Sequence, residues 1–287
     1  MISDSQLKLV REIEIKTRHL VQSMISGKYH SRFKGQGIDF SQIRPYEMGD
    51  DTRRIDWKVM AKTGKPFIKQ YEEERDLQVI VMVDLSASTR FGSTAPKRDI
   101  ALEMAAVLGF SAILNNDRVG LLTFTDQVQQ YIPAKPGKKH MFRMIRDLYS
   151  AQVSSKGTDI KSAVSYLLKV LKRRSIVILI SDFQDQGYQE RLRLLAAKHD
   201  LVPIFLSDTR ERELPDLGIL HLEDLESSET VFIDTSSRSV REQFEAIVLS
   251  RDLEKQRFFR RIKQPMIHIS TDEPYTPALL RYFRECR

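Results

Sequence analysis

One cysteine, one tryptophan and the absence of any long apolar run set the first limits on this 287-residue chain. A lone thiol, Cys286, cannot close a disulfide within the chain or build a cysteine-based zinc site, so both scaffold classes drop out. No apolar stretch approaches the roughly 20 residues that cross a bilayer. Met1-Ile-Ser-Asp-Ser-Gln6 lacks the basic flank and apolar centre of a secretory signal, and the expectation is a cytoplasmic protein. The six histidines, His19, His30, His140, His199, His221 and His268, are scattered without ligand spacing, which gives no support to zinc or general-base roles. A phosphate-cradling Gly-x-x-x-x-Gly-Lys-Ser/Thr string and a Gly-x-Ser-x-Gly elbow are also missing.

What the chain does have is charge and enough apolar residues for a large core. Hydrophobic residues make up 41% and charged residues 30%, the balance of an ordinary globular protein, with a net charge of +7. Basic clusters at Lys135 to Arg146, Lys169 to Arg174 and Arg257 to Lys263 invite a nucleic-acid reading. Each lies on or beside an expected amphipathic helix, and none interleaves the aromatics on which a single strand would stack. A solvated basic face, or one that meets an acidic protein or lipid head groups, fits the pattern better.

Two textures divide the chain. Leu7, Val10, Ile13, Leu20, Val21 and Met24 recur at helical spacing ahead of Gly27 and predict a leading helix over 3–26. Residues 28–65 then show glycine, arginine and aspartate without a clear period, so residues 1–76 read as an N-terminal helix and irregular extension. From 77 to 287 strands and helices alternate. Strands are expected at 77–83, 119–124, 128–133, 176–180, 201–206, 231–234 and 266–269, with helices at 97–115, 138–150, 160–173, 187–199 and 237–262. That order predicts an α/β fold, a doubly wound and mostly parallel sheet with helices on both faces.

The chemistry sits where the two most apolar strands end. Val79-Ile-Val-Met-Val83 stops in Asp84-Leu-Ser86-Ala-Ser88, and Ile176-Val-Ile-Leu-Ile180 stops in Ser181-Asp182. Runs of this kind mark strands buried on both faces. If the two lie close together, their aspartates leave the sheet at one carboxyl edge, where open α/β sheets hold ligands. The loop Lys156-Gly157-Thr158-Asp159 opens the helix at 160 and brings a hydroxyl to that edge. Asp84, Ser86, Ser88, Thr158 and Asp182 are then five oxygen donors with a total charge of −2. Hard oxygen donors suit Mg²⁺, with Mn²⁺ or Ca²⁺ as substitutes, and leave a position open for water or an incoming carboxylate.

This three-loop arrangement resembles the metal-ion-dependent adhesion site of von Willebrand factor type A domains, which implies that Ser86, Ser88 and Thr158 approach the ion directly. Asp84 and Asp182 would hold it directly or through water. Gly35-x-Gly37, Phe40, Arg44-Pro-Tyr46, Gly49-Asp50-Asp51-x-Arg53-x-Ile55-Asp56-Trp57 and Glu72-Glu-Glu74 resemble a bacterial domain-of-unknown-function family numbered 58. The resemblance covers about residues 27–285. It implies an N-terminal segment paired with a type A domain, and a partner role beside a MoxR-type AAA+ ATPase in complex assembly or maturation.

Plainer readings compete with each of these. Asp84, Ser88, Thr158 and Asp159 are also residue types that cap helices. Lys161 denies Thr158 the acidic partner of a capping box. The charges from Asp50 to Asp56 read as an ion-pair network with Trp57 as its buried anchor, and Glu72 to Glu74 as a solvated face. The reading preferred on sequence is a non-enzymatic, metal-dependent protein-interaction module whose partner donates an Asp or Glu to the metal. A metal-dependent phosphatase-like hydrolase would want a second carboxylate at position 86, where serine stands, and a basic nucleic-acid-binding protein remains the other alternative.

Overall fold

A computed structural model of the protein describes residues 37–48, 50–74, 77–151, 155, 157–223 and 229–285. They fall into two compact units, one ending at Leu77 and one beginning at Gln78. The helix expected over 3–26, and Gly35, Gly49, Lys156 and Cys286, lie outside the described residues.

The first unit is more regular than its composition suggests. Strand β1 (Gly37–Pro45) pairs antiparallel with β2 (Phe67–Glu74), in register from Gly37 opposite Glu74 to Pro45 opposite Phe67, with an irregularity between Phe40 and Gln42. Between them runs a short helix, α1 (Trp57–Thr63), capped at its start by the Asp56 carboxylate, which accepts the Lys58 and Val59 N–H groups at 3.0 and 3.3 Å. Gly64 ends it at φ 71°, a left-handed cap that glycine adopts without steric cost. The expected charge network turns out to be mostly local. Asp51 accepts the Arg53 N–H, and Asp50 takes a two-pronged bond from Arg44 at 2.6 and 2.8 Å. Trp57 is no buried anchor: as the first residue of α1 it is 65% exposed, while its neighbour Asp56 is buried.

In the second unit six strands form one sheet. They are β3 (Gln78–Asp84), β4 (Arg118–Phe124), β5 (Val128–Lys135), β6 (Ile176–Ser181), β7 (Asp200–Ser207) and β10 (Ile267–Ser270), in the spatial order β10-β7-β6-β3-β4-β5. All neighbours are parallel except β5, which returns antiparallel on the edge beside β4. The chain therefore builds one side of the sheet from β3 to β5, then crosses back over β3 to build the other from β6 onward. The switch in direction falls between β3 and β6. Every residue from Val79 to Val83 has no exposed surface, as a central strand between two hydrogen-bonded neighbours requires.

Helices cover both faces. On one, Ile80, Met82, Leu122 and Leu179 pack with Ile160, Val164 and Leu167 of α4 (Ile160–Val170), Leu192 and Leu195 of α5 (Gln189–Lys198), and Phe259 of α6 (Arg238–Arg261). On the other lie α2 (Lys97–Leu114) and α3 (Lys138–Tyr149), whose Phe110 and Phe142 rings meet edge to face at 5.6 Å. Gly109 permits this approach, because a Cβ there would sit 2.4 Å from Met141 Cε. The expected doubly wound α/β architecture is the one observed.

Within this unit two elements, β8 (Ile219–Glu223) and α7 (Tyr275–Glu285), escaped the sequence reading. Strand β8 pairs antiparallel with β9 (Thr230–Asp234) as a separate ribbon, and α7 closes the described chain. Among the described residues no helix is long and apolar enough to cross a membrane.

Candidate metal centre

Register alone brings the first two predicted loops together. Val83 pairs with Ile180 across the β3–β6 ladder, so the next residues, Asp84 and Ser181, leave the sheet side by side. The Ser181 hydroxyl donates to Asp84 Oδ2 at 2.7 Å. The other carboxylate oxygen, Oδ1, accepts the Ser86 N–H at 2.9 Å, folding the loop tightly over the strand end. Ser86 stands at the cap position of the 3₁₀ turn Ala87–Arg90, yet its hydroxyl makes no capping bond and lies 3.1 Å from the hydroxyl of Ser88. Asp84, Ser86 and Ser88 thus present clustered oxygen atoms, all three buried.

The third loop is tied to the same edge from two sides. The Asp159 N–H donates to the Thr125 carbonyl, just beyond β4, at 2.8 Å, and the Ile160 N–H donates to the Asp185 carboxylate, beyond β6, at 2.8 Å. Since β3 lies between β4 and β6, residues 157–159 run across its carboxyl end and carry half-buried Thr158 with them. Asp159 is the N-cap of α4, accepting the Ser162 N–H at 2.7 Å, so the plain reading holds for that residue and leaves the cap position to it rather than to Thr158.

Asp182 follows Ser181 directly and is also buried. Its chain turns sharply at Phe183, whose φ of 51° is rare for a bulky residue and costs of order 1 kcal/mol. The Phe183 ring packs against Tyr188, Phe205 and Phe259 with centroids 5.2 to 6.5 Å away, contacts that offset the strained turn.

Electrostatics separates the two aspartates. Burial, and then the neighbouring Asp182 charge, push the Asp84 carboxyl up from an ordinary 3.8 to about 7 against the opposing bonds from Ser181 and Ser86. Among the described residues no positive side chain pairs with Asp84. Asp182, by contrast, has a cation of its own: Lys97 Nζ donates to its Oδ2 at 2.7 Å and to Glu211 Oε1 at 2.6 Å. Burial pulls that ammonium down, but the two carboxylates outweigh it and hold it above its ordinary value.

The donor set fits a hard divalent ion. A buried carboxyl beside two clustered hydroxyls, with no positive side chain paired to it among the described residues, offers the oxygen donors that such an ion takes. Among the described residues no group of three His, Cys, Asp or Glu gathers as a metal cage, so an ion here would depend on hydroxyl ligands as well. Ser181, Lys97, Glu211 and Asp185 are the site residues that sequence reasoning missed. Ser181 stood in plain view next to Asp182, and the parallel register is the signal that would have found it.

An open, doubly wound α/β domain with an oxygen-donor cluster at its switch point is the class that fold and site define. The chain matches the family model described as protein of unknown function DUF58 over residues 42–253, and it belongs to that family. The uncharacterized protein Rv1480 of Mycobacterium tuberculosis (strain ATCC 25618 / H37Rv) is 29% identical over 277 residues, spanning 95% of this chain and 87% of that protein. YeaD of Bacillus subtilis (strain 168), also uncharacterized, is 23% identical over 174 residues, 61% of this chain and 41% of that protein. Among solved structures, the conserved hypothetical protein BatB from Bacteroides thetaiotaomicron aligns at 17% identity and a TM-score of 0.48, covering 73% of this chain and 98% of that one. The SpRpn10 VWA domain aligns at 11% identity and a TM-score of 0.39, covering 71% of this chain and 93% of its own.

Proposed function

We propose that this protein is a non-enzymatic, divalent-metal-dependent protein-interaction module. The observation that carries the reading is the buried Asp84 carboxyl at a strand end beside the clustered Ser86 and Ser88 hydroxyls, with no positive side chain paired to it among the described residues. Asp84, Ser86, Ser88, Thr158 and Asp182 would hold Mg²⁺, or Mn²⁺ or Ca²⁺ in its place. When bound, the ion supplies the positive charge that receives an Asp or Glu from a partner. Both Asp84 oxygens already accept hydrogen bonds, which suits a holding role better than nucleophilic attack. Family membership and the resemblance to type A domains support an adaptor beside a MoxR-type AAA+ ATPase, acting on the ATPase or its client.

Capture of a purified MoxR-type ATPase on the immobilised full chain tests this reading. Binding is expected with Mg²⁺, and its loss is expected with chelator or with Asp84→Ala. Capture that is indifferent to both would remove the metal from the contact.

A further inference from the structure

Lys97 has no exposed surface, although lysine is among the residues least often buried. It opens α2 directly after Pro96, and its ammonium reaches two carboxylates on separate strand ends: Asp182 beyond β6, and Glu211 in the 3₁₀ turn Thr209–Glu211 beyond β7. One of these is a residue that the proposed cation site uses. With Oδ2 taken by the ammonium, Asp182 keeps Oδ1, which among the described residues accepts only the Gln184 N–H at a long 3.3 Å. A second lysine, Lys255, approaches the same residue from α6 but donates to its backbone carbonyl at 3.3 Å, with its own charge over the Phe205 ring at 4.5 Å.

We infer that Lys97 is a built-in counter-ion of the metal site, a specificity-determining residue that keeps the affinity for a free divalent ion low. The inference rests on the metal-site reading above. A fixed positive charge one carboxylate away from a bound cation repels it, and in a water-poor setting that repulsion outlasts salt screening. It also holds Asp182 in place without the ion, so the edge is formed before any ion arrives. Because Lys97 draws charge from Asp182, an ion in the site would stay electron-poor and an acidic side chain from a partner would supply a large share of its binding. Coupling between sites is reciprocal, so ion and partner would each tighten the other.

Titration calorimetry of Mn²⁺ into the full chain at pH 8 tests this, with wild type, Lys97→Met, Glu211→Gln and Lys255→Met side by side. Lys97→Met is expected to bind at least tenfold more tightly than wild type. Glu211→Gln, which removes a negative charge and leaves the lysine, is expected to bind more weakly, and Lys255→Met within about twofold of wild type. Unchanged or weaker binding by Lys97→Met overturns the inference while leaving the metal site intact. Absence of binding in both wild type and Lys97→Met overturns the metal site itself. Should Lys97→Met not fold, Glu211→Gln decides alone: weaker binding supports the counter-ion, and equal or tighter binding contradicts it. A gain in Lys255→Met as large as that in Lys97→Met would also contradict it, since the effect would then belong to overall charge.

Discussion

Two strand ends of the same sheet each bury an aspartate, and they treat it in opposite ways. Asp208, beyond β7, has its Oδ1 bonded by the Arg210 N–H at 2.8 Å and its Oδ2 by the Ser93 N–H at 2.7 Å, the Ser93 hydroxyl at 3.0 Å and the Thr271 hydroxyl. Burial by itself would raise that carboxyl, but these donors hold it below its ordinary value. Asp84, the last residue of β3, receives fewer donors and feels Asp182 besides, and its carboxyl is pushed up to about 7. A buried carboxylate whose hydrogen bonds are complete is structural. One that is left short of compensation at the switch point of the sheet is the feature on which the proposed metal reading rests. Residue type and position at the end of a strand do not tell the two apart; their donors do.

The largest way to sharpen this contrast is pH. In the metal-free protein the folded state keeps a proton on Asp84 between about pH 4 and 7 that the unfolded chain has released, so stability falls as pH rises through that window. The difference from the ordinary 3.8 is worth up to about 4 kcal/mol. His199 and His268 are lowered by burial and act in the opposite sense, so the useful quantity is wild type minus Asp84→Asn. Urea unfolding of both proteins from pH 4 to 8 is expected to show that difference moving against wild type. Asp208→Asn, measured the same way, should show a difference that stays nearly flat from pH 5 to 8, because a carboxyl held below its ordinary 3.8 loses its stabilising effect only as pH falls below about 4.

The next effect in size breaks the comparison at its structural end. Asp208→Ala leaves the donors of Ser93, Arg210 and Thr271 without their acceptor in a buried setting, an expected loss of about 3 kcal/mol. Mn²⁺ affinity measured on the same variant should stay within a few-fold of wild type. Equal loss of ion binding in the Asp208 and Asp84 variants would erase the distinction between the two strand ends.

Much of the fold could be read from the chain because its central strands carry no polar residue until they end. Val79 to Val83 and Ile176 to Ile180 announce burial, and their abrupt stops locate Asp84 and Asp182. Adjacency of the two strands required the crossover, which periodicity does not encode, and the structure supplied it. Lys97 was invisible because Pro96-Lys97-Arg98-Asp99 reads as the exposed first turn of a helix. Its partners stand 85 and 114 residues away. Trp57 misled because an indole suggests a core, whereas here the helix start turns it outward. The β1–β2 pairing hides in residues without strong alternation. Helix α7 hides behind Pro274 and Pro277, which read as loop even though proline is tolerated in a first turn.

On the proposed reading, Asp84 takes its counter-charge from a bound divalent ion. Thermal melting at pH 8 of wild type and Asp84→Asn, each with and without Mg²⁺, tests it most directly. A ligand that binds only the folded state raises the melting temperature, by roughly 2–4 °C for each kcal/mol in a domain of this size. A rise of several degrees is expected in wild type and none in Asp84→Asn, and metal-free Asp84→Asn is expected to melt above metal-free wild type. An equal rise in both proteins, or a metal-free variant that melts below wild type, would contradict that reading.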